Sequence, residues 1–434
     1  MKQKYDAIII GAGIVGCCVA FELSKNGYKT INVDFQSTAG AGSTAASCGN
    51  VRFHYSTRDG VALAYESAWY WHNWKNYIDT EDERGYAPFH NTGSVYIKSK
   101  GLNWPLIKEN FEKVGVKYEE WDLDELKLKI PISDFHSFYP PRLPEDSSFW
   151  AEPSEMLEGA SYTPESGYVS DPTLATQNVE AAVRAKGGRF IYKRKVVQIF
   201  QDADRVTGVC LNDGQEINAP IVINVAGPHS FKITELAGQT QNNAIKTRAL
   251  RHEVHIVPPP EGFNPETEGY HTNDTDIGAY YRPETGGMIL TGSVDPDCDP
   301  KEFVDPDNYN SEVTENQWKA QVYRLARRIR DLPIPTRPKG IVDLYDVSDD
   351  WIPIYDKSDL SGYYQAIGTS GNQFKTAPVV GGLMAELVQK VEGGYPHDQS
   401  PLQYTLPHLG ITIDTGVFHR NRKINLNSSF SVIG

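Results

Sequence analysis

Cysteine is scarce in this chain. There are five in 434 residues (Cys17, Cys18, Cys48, Cys210, Cys298), an odd number with no CxxC pair. This excludes a disulfide framework and a zinc site of paired thiolates, and it points to a reducing compartment. No other spacing suggests a metal site. Basic charge is also in deficit: 42 Lys plus Arg stand against 56 Asp plus Glu, a formal net charge of −14. Such a field repels phosphate backbones and anionic membranes, so nucleic acid is not an expected partner. Long apolar runs are missing too. Ala7 to Phe21 (AIIIGAGIVGCCVAF) is free of charge for fifteen residues, short of the roughly 20 that a membrane span requires. It lacks the basic lead and small-residue cleavage site of a signal peptide. The expectation is a cytoplasmic protein with no membrane span. Internal repeats and low-complexity segments are absent as well.

What is present is a soluble globular composition, 39% hydrophobic, 11% aromatic and 23% charged, long enough for two or three domains of about 100–200 residues each. The strongest local signal lies in the first forty residues. Tyr5 to Ile10 reads as a parallel strand buried on both faces and runs into Gly11-Ala12-Gly13-Ile14-Val15-Gly16. An apolar-periodic helix follows and stops at Asn26-Gly27, and Thr30 to Asp34 reads as a second strand ending in a carboxylate. Gly11 permits the tight turn, Gly13 admits a pyrophosphate to the backbone, and Gly16 allows close helix–strand packing. The helix N-terminus offers N–H groups to the phosphates. Asp34 is placed to accept from a ribose diol, and an acid there disfavours the 2′-phosphate of NADP.

Ala39 to Asn50 is a run of twelve small or polar residues, able to wrap a pyrophosphate and a planar ring closely. The chain then enters an aromatic helix, Leu63 to Tyr77, instead of another strand–helix repeat. This departure favours FAD over NAD. Further along, strands are expected at Gly93–Ile97, Phe190–Phe200, Val206–Leu211, Pro220–Gly227, Ala279–Pro283, Gly287–Gly292 and Gly362–Gly368. Helices are expected at Leu106–Val114, from the Asp171 cap through Ala185, at Glu315–Arg330 and at Pro378–Val391. In the third of these, Arg324, Arg327, Arg328 and Arg330 read as a solvated face or local ion pairs.

Four stations in this order are the GAGIVG turn with Asp34, the GSTAASCGN loop, the VINVAGP strand and the terminal GTSGNQFKTAP loop. Together they resemble the glycine oxidase/sarcosine oxidase group of FAD-dependent amine oxidoreductases, the D-amino-acid-oxidase-like (DAO) family, over roughly residues 5–390. The expected fold is α/β (α+β overall). A Rossmann-like FAD-binding domain of discontinuous segments (1–88, 165–245 and 340–392) joins a β-sheet-based substrate domain (89–164 and 246–339), with a C-terminal extension at 393–434.

The resemblance implies non-covalent FAD, its ADP half held by Gly11, Gly13, Gly16 and Asp34, with Ser43 and Thr44 near the phosphates. Val197 would meet the adenine, and Ala226 and Gly227 would line the cofactor. Cys48, Gly49 and Asn50 would approach the isoalloxazine, and Gly371, Asn372, Gln373, Phe374 and Lys375 its pyrimidine end. It also implies a small-molecule amine whose carboxylate is clamped by Arg52 and Lys375. Tyr345 stands where the glycine-oxidase branch has an arginine, which favours secondary or N-methyl amino acids of the sarcosine or dimethylglycine type. Arg282 is a further candidate for the pocket, and His54 reads as a structural neighbour. Asp343 replaces the cysteine that carries flavin covalently in monomeric sarcosine oxidases. Leu290 replaces a lysine that promotes reaction with oxygen, so oxygen and an electron carrier both stay open as acceptors.

Oligomeric state and the role of the tail also stay open, with His419 to Arg422 suited either to closing the site or to contacting another copy. A D-amino-acid dehydrogenase of the same fold is the alternative enzyme. A pyridine-nucleotide flavin reductase would need a second GxGxxG and a CxxxxC, which are missing. A non-catalytic flavoprotein subunit is disfavoured by the retained Arg52 and Lys375.

Overall fold

The computed structural model describes residues 4–433. Strands Ala7–Ile10, Thr30–Val33, Ile221–Asn224 and Tyr363–Ile367 are buried along their whole length, as a sheet covered on both faces requires. They are the centre of a six-stranded sheet in the order Ile354–Lys357, Tyr363–Ile367, Ile221–Asn224, Ala7–Ile10, Thr30–Val33, Arg189–Ile191. Only the Ile354–Lys357 edge runs antiparallel. Helix Ile14–Lys25 packs on one side between helices Ala377–Glu392 and Pro172–Ala185. The last of these starts as its sequence dictates, with Asp171 accepting the Leu174 N–H at 2.8 Å and Pro172 in the first turn.

Two expected elements come out differently. The aromatic helix begins earlier, at Arg58 behind a Thr57 cap, and breaks at Asn73 before a short Trp74–Ile78 turn. The expected Phe190–Phe200 strand is two strands, because Lys193 adopts φ +58° and redirects the chain. Arg189–Ile191 stays at the edge of the parallel sheet, while Val196–Asp202 joins a three-stranded antiparallel sheet.

A second, nine-stranded mixed sheet is built around Thr247–Val257, which pairs with Met288–Ser293 on one edge and Gly340–Ser348 on the other. Helix Glu315–Arg328 covers one face, packing Trp318, Val322 and Leu325 on Val257, Tyr281 and Ile289. Its arginines divide: Arg330, just past the helix end, is exposed and Arg327 is half-buried, whereas the other two are buried in ion pairs. Arg328 is fully buried on Asp274 (2.6 Å) and Asp276 (2.8 Å), and Arg324 is buried on Asp299 (2.5 Å). Buried charges persist only when paired in this way, so these ion pairs hold the helix to the sheet.

The tail after residue 392 forms a small hairpin, Gln403–Thr405 with Thr412–Asp414. It is then clamped by Arg420 on Asp356 (3.0 Å) and Asp398 (2.9 Å) and by Arg422 on Asp350 (2.7 Å). These arginines fasten the tail within the chain rather than covering the cavity. No helix among the described residues is long and apolar enough to cross a membrane.

Candidate active site

The carboxyl ends of the parallel strands and the inner face of the mixed sheet enclose a cavity of about 900 Å³, the place where open α/β sheets take their ligands. At its first end the wall is main chain. Gly11 has φ +124°, and a Cβ there would lie 2.5 Å from the Val225 carbonyl oxygen. A Cβ on Gly16 would lie 2.5 Å from the Gly11 carbonyl oxygen. Gly13 differs: it lines the cavity, and a Cβ there meets only Thr44 Oγ1, at 3.1 Å. The helix that starts behind Gly13 has no side-chain cap and no acid in its first turn, and Ile14 N–H donates to Thr44 Oγ1 at 3.2 Å. Its N-terminus therefore presents N–H groups and the positive end of the helix dipole to the cavity.

Asp34 closes the next strand and accepts from the N–H groups of Ala12 (2.6 Å) and Gln36 (2.8 Å). Burial raises its pKa. Ser43 lines the cavity but donates to Asp343 Oδ1 at 3.0 Å. Val197, Ala226 and Gly227 line the walls around this end.

Cys48, Gly49 and Asn50 line the middle, with Cys48 Sγ 3.1 Å from the Tyr280 hydroxyl oxygen. Tyr345 faces them. It packs against Gly371, where a Cβ would come within 2.5 Å of its ring, and stacks on His252 with centroids 4.5 Å apart. Arg282 is buried but is not on the cavity wall. Its Nε donates to the Cys48 carbonyl at 2.9 Å, its Nη2 pairs with Glu284 at 3.0 Å, and its guanidinium lies over Tyr168. Glu284 follows by two in the same strand and so shares its face.

The far end is cationic. Arg52 and Lys375 are 5% and 2% exposed, and both line the cavity. They flank the Tyr55 ring at 4.8 and 5.1 Å from its centroid. Lys375 Nζ donates to the Asn372 carbonyl, and Arg52 Nη1 donates to the carbonyls of His54 (2.6 Å) and Ile433 (3.0 Å). Arg52 Nη2 donates to the Val432 carbonyl. Among the described residues neither cation has a carboxylate partner. Burial, reinforced by the Arg52 charge, pushes the Lys375 ammonium well below its usual pKa.

The loop that carries Lys375 is fixed from behind. Gln373 turns inward to accept from Tyr355 (3.2 Å) and Thr376 (2.7 Å), Phe374 stacks on Trp71, and Trp71 Nε1 donates to the Lys375 carbonyl at 2.7 Å. His54 stacks on Tyr96 and bonds Ser161 Oγ at 2.9 Å, away from the wall.

Sequence reasoning passed over His271, Asn273, His252 and Tyr280, which also line the cavity. The first two are i and i+2 on one strand, so the alternation of side chains puts both on one face; that alternation was the available signal. Burial, with the charges of Arg52, Arg282 and Lys375, holds His271 well below its usual pKa, so the ring is neutral. Five buried polar atoms on this wall have no partner: Asn50 Oδ1, His252 Nδ1, His271 Nε2, Asn273 Oδ1 and Asn372 Nδ2. Buried polar groups are nearly always hydrogen-bonded, so the cluster marks where a ligand completes the structure. An uncapped helix N-terminus, the Gly13 cradle and this unpartnered wall together fit a flavin dinucleotide with a small polar molecule beside it.

The profile of the family described as DAO, FAD dependent oxidoreductase, matches residues 6–387. The chain is similar to FAD-dependent oxidoreductase domain-containing protein 1 of Bos taurus, with 24% identity over 412 residues, 89% of this chain and 81% of that one. In structure it is similar to L-proline dehydrogenase from P. horikoshii, with a TM-score of 0.73 and 22% identity, covering 91% of this chain and 96% of that one. It is equally similar to glycine oxidase from Geobacillus kaustophilus, with a TM-score of 0.73 and 18% identity, covering 98% of this chain and all of that one.

Proposed function

The chain belongs to the DAO family of FAD-dependent oxidoreductases, and from that premise we propose that it oxidises the C–N bond of a small amino acid bearing a secondary or N-methylated amine. One observation carries the reading: two buried cations, Arg52 and Lys375, have no ion-pair partner among the described residues at the end of the cavity opposite the dinucleotide cradle. Two like charges out of water repel and lose hydration, and a bound anion offsets both costs. A carboxylate is the anion a planar guanidinium and an ammonium suit.

In this reading Gly11, Gly13, Gly16, Asp34 and Thr44 hold the ADP half of FAD, and the Cys48–Asn50 and Gly371–Lys375 segments flank its ring. Bound FAD supplies a two-electron acceptor. Arg52 and Lys375 fix the carboxylate and so aim the C–H next to nitrogen, and such orientation is a large part of catalysis. Their positive field also lowers the amine's pKa, so nitrogen keeps the lone pair it needs as the C–H departs with its electrons. The neutral His271 Nε2 and Asn273 Oδ1 offer hydrogen-bonding positions for the amine. The aromatic ring of Tyr345, on the cavity wall, suits an N-alkyl group, where a third cation would not. The imine left behind takes up water and falls to a carbonyl compound and an amine. Glycine oxidase and L-proline dehydrogenase, the two structural neighbours, are named for amino-acid substrates, which supports the reading.

The test is anaerobic flavin bleaching with sarcosine, dimethylglycine, L-proline and D-alanine, each beside its carboxamide analogue. Bleaching by an N-alkyl amino acid but not by its carboxamide is the expected result. Fastest bleaching by D-alanine would shift the assignment to a D-amino-acid enzyme, and bleaching by none would overturn the proposal. Readmitting air then separates oxidase from dehydrogenase.

A further inference from the structure

The tail enters the site at the residue on which carboxylate recognition depends. It is clamped to the body by Arg420 and Arg422, runs through Lys423–Asn427 with Ile424 48% and Leu426 83% exposed, and then buries Val432 and Ile433 in the main core. Val432 lines the cavity. The main-chain anchors of this last stretch are few. Lys301 Nζ donates to the Phe430 carbonyl at 2.8 Å, and Arg52 donates to the carbonyls of Val432 and Ile433. Two successive carbonyl oxygens thus face the two terminal nitrogens of one guanidinium, an arrangement that resembles the two oxygens of a carboxylate on an arginine fork. A neutral pair of carbonyls satisfies the donors but brings no charge, and no carboxylate among the described residues compensates Arg52 and Lys375.

We propose that residues 430–433 are an intramolecular occupant of the carboxylate site, that a substrate carboxylate binds by displacing the Val432 and Ile433 carbonyls from Arg52, and that these two residues therefore set the protein's affinity for its amino acid. This rests on the reading of Arg52 as the carboxylate clamp. A carboxylate brings the negative charge that peptide carbonyls lack, so it is the stronger partner. Lys423–Asn427 supplies an exposed segment over which the tail can swing while Arg420 and Arg422 stay fastened. A site that is open only a fraction of the time binds more weakly by that fraction.

The holoprotein tests this directly with acetate as the probe. Ligand binding ordinarily protects what it touches, yet saturating acetate is expected to raise deuterium uptake in residues 428–433. Unchanged or lowered uptake overturns the proposal. In titrations followed by the flavin band, a chain stopped after Asn427 should bind acetate about tenfold more tightly, as for a tail seated about nine-tenths of the time. The pair V432G/I433G, which keeps the carbonyls but loses the apolar anchor, should fall between the two. Equal or weaker acetate binding by both variants makes the tail a fixed wall and sinks the idea. If the shortened chain does not take up FAD, V432G/I433G and the exchange experiment decide. Arg52→Gln separates the two claims. Should it leave acetate binding by the shortened chain unchanged, the clamp reading fails. Should it abolish binding while shortening has no effect, only the tail proposal fails.

Discussion

The two ends of the cavity are made of different material. At the dinucleotide end the wall is mostly backbone, Gly11, Gly13, Gly16 and Val225 to Gly227, with the Asp34 carboxylate held against it by the Ala12 N–H. At the other end the wall is side chains carrying charge, Arg52 and Lys375, backed by His271, Asn273 and Tyr280. The first end costs the fold nothing extra, since Gly11 and Gly16 are required by the strand–helix–strand packing whether or not a ligand is present. The second end works against stability, because buried cations with no counter-charge among the described residues are tolerated only for what they bind. Substitutions should therefore separate the two: at the first end binding falls together with stability where a glycine is packed on backbone, as at Gly11, and alone at Gly13, whereas at the second end stability and binding move in opposite directions.

The largest effect is expected at the first end. Gly11→Val places a branched side chain 2.5 Å from a main-chain oxygen at φ +124°, a combination of clash and backbone strain that neither rotamer nor side chain relieves. A loss of about 3 kcal/mol or more follows, seen as loss of soluble yellow protein. Gly13→Ala meets only Thr44 Oγ1 at 3.1 Å. It should melt within a few degrees of the parent yet bind FAD at least about tenfold more weakly, because its methyl group stands where the dinucleotide would lie. If both variants fold and bind alike, the cradle has been misread.

At the second end, Lys375→Met should weaken acetate binding by about 100-fold, in line with loss of a buried charged hydrogen bond, while raising the melting temperature. Its pH behaviour gives a sharper test. The Lys375 pKa is lowered in the folded protein by burial and by Arg52, so the native state gives up this proton at lower pH than the unfolded chain. Between the lowered and the ordinary value the unfolded state binds more protons, and this residue's contribution to stability rises with pH. Carboxylate affinity runs the other way and is lost as pH rises through the lowered value. Lys375→Arg should hold its affinity across that range. A parent protein whose acetate affinity is flat to pH 10 would contradict the assignment.

The same division governs what the sequence could disclose. Gly11 to Asp34 is contiguous, and each residue's role follows from strand, turn and helix rules acting within that stretch. The cationic end has no such segment. Arg52 finds its Val432 partner 380 residues along the chain, and Tyr345 meets His252 only because Gly340–Ser348 pairs with Thr247–Val257. Arg282 was readable as a free cation in its strand. The same strand, however, holds Glu284 two residues on, and that pairing with the Cys48 carbonyl turns the guanidinium away from the wall. Lys193 at φ +58° split an expected strand because an L-residue there carries no glycine signal. Family resemblance named Arg52, Lys375 and Tyr345 where residue patterns alone left them as one charge or ring among many.

The smallest effect belongs to the charges that do occur at the dinucleotide end, and it limits how far the contrast holds. After the Glu302–Phe303 edge strand of the mixed sheet, the loop through Pro306, Asp307 and Tyr309 lines the cavity mouth. Asp307 there meets Lys232 at 2.6 Å, Lys195 at 3.0 Å and His229 at 3.4 Å, with its side chain 42% exposed. Lys232, then Lys195, hold its carboxyl far below the usual range, so this latch persists through mildly acid pH and is lost only as pH falls through that lowered value. Exposed ion pairs contribute about 0–1 kcal/mol and are screened by salt. Asp307→Asn should therefore speed FAD release by about twofold to fivefold in low salt, with the difference vanishing near about 1 M salt. Carboxylate affinity should stay unchanged, because the latch and the Arg52–Lys375 pair sit at opposite ends of the cavity. A salt-independent loss of FAD, or a shift in acetate binding, would mean that the two ends communicate through the mixed sheet and that the charged rim belongs with the buried cations rather than with the backbone cradle.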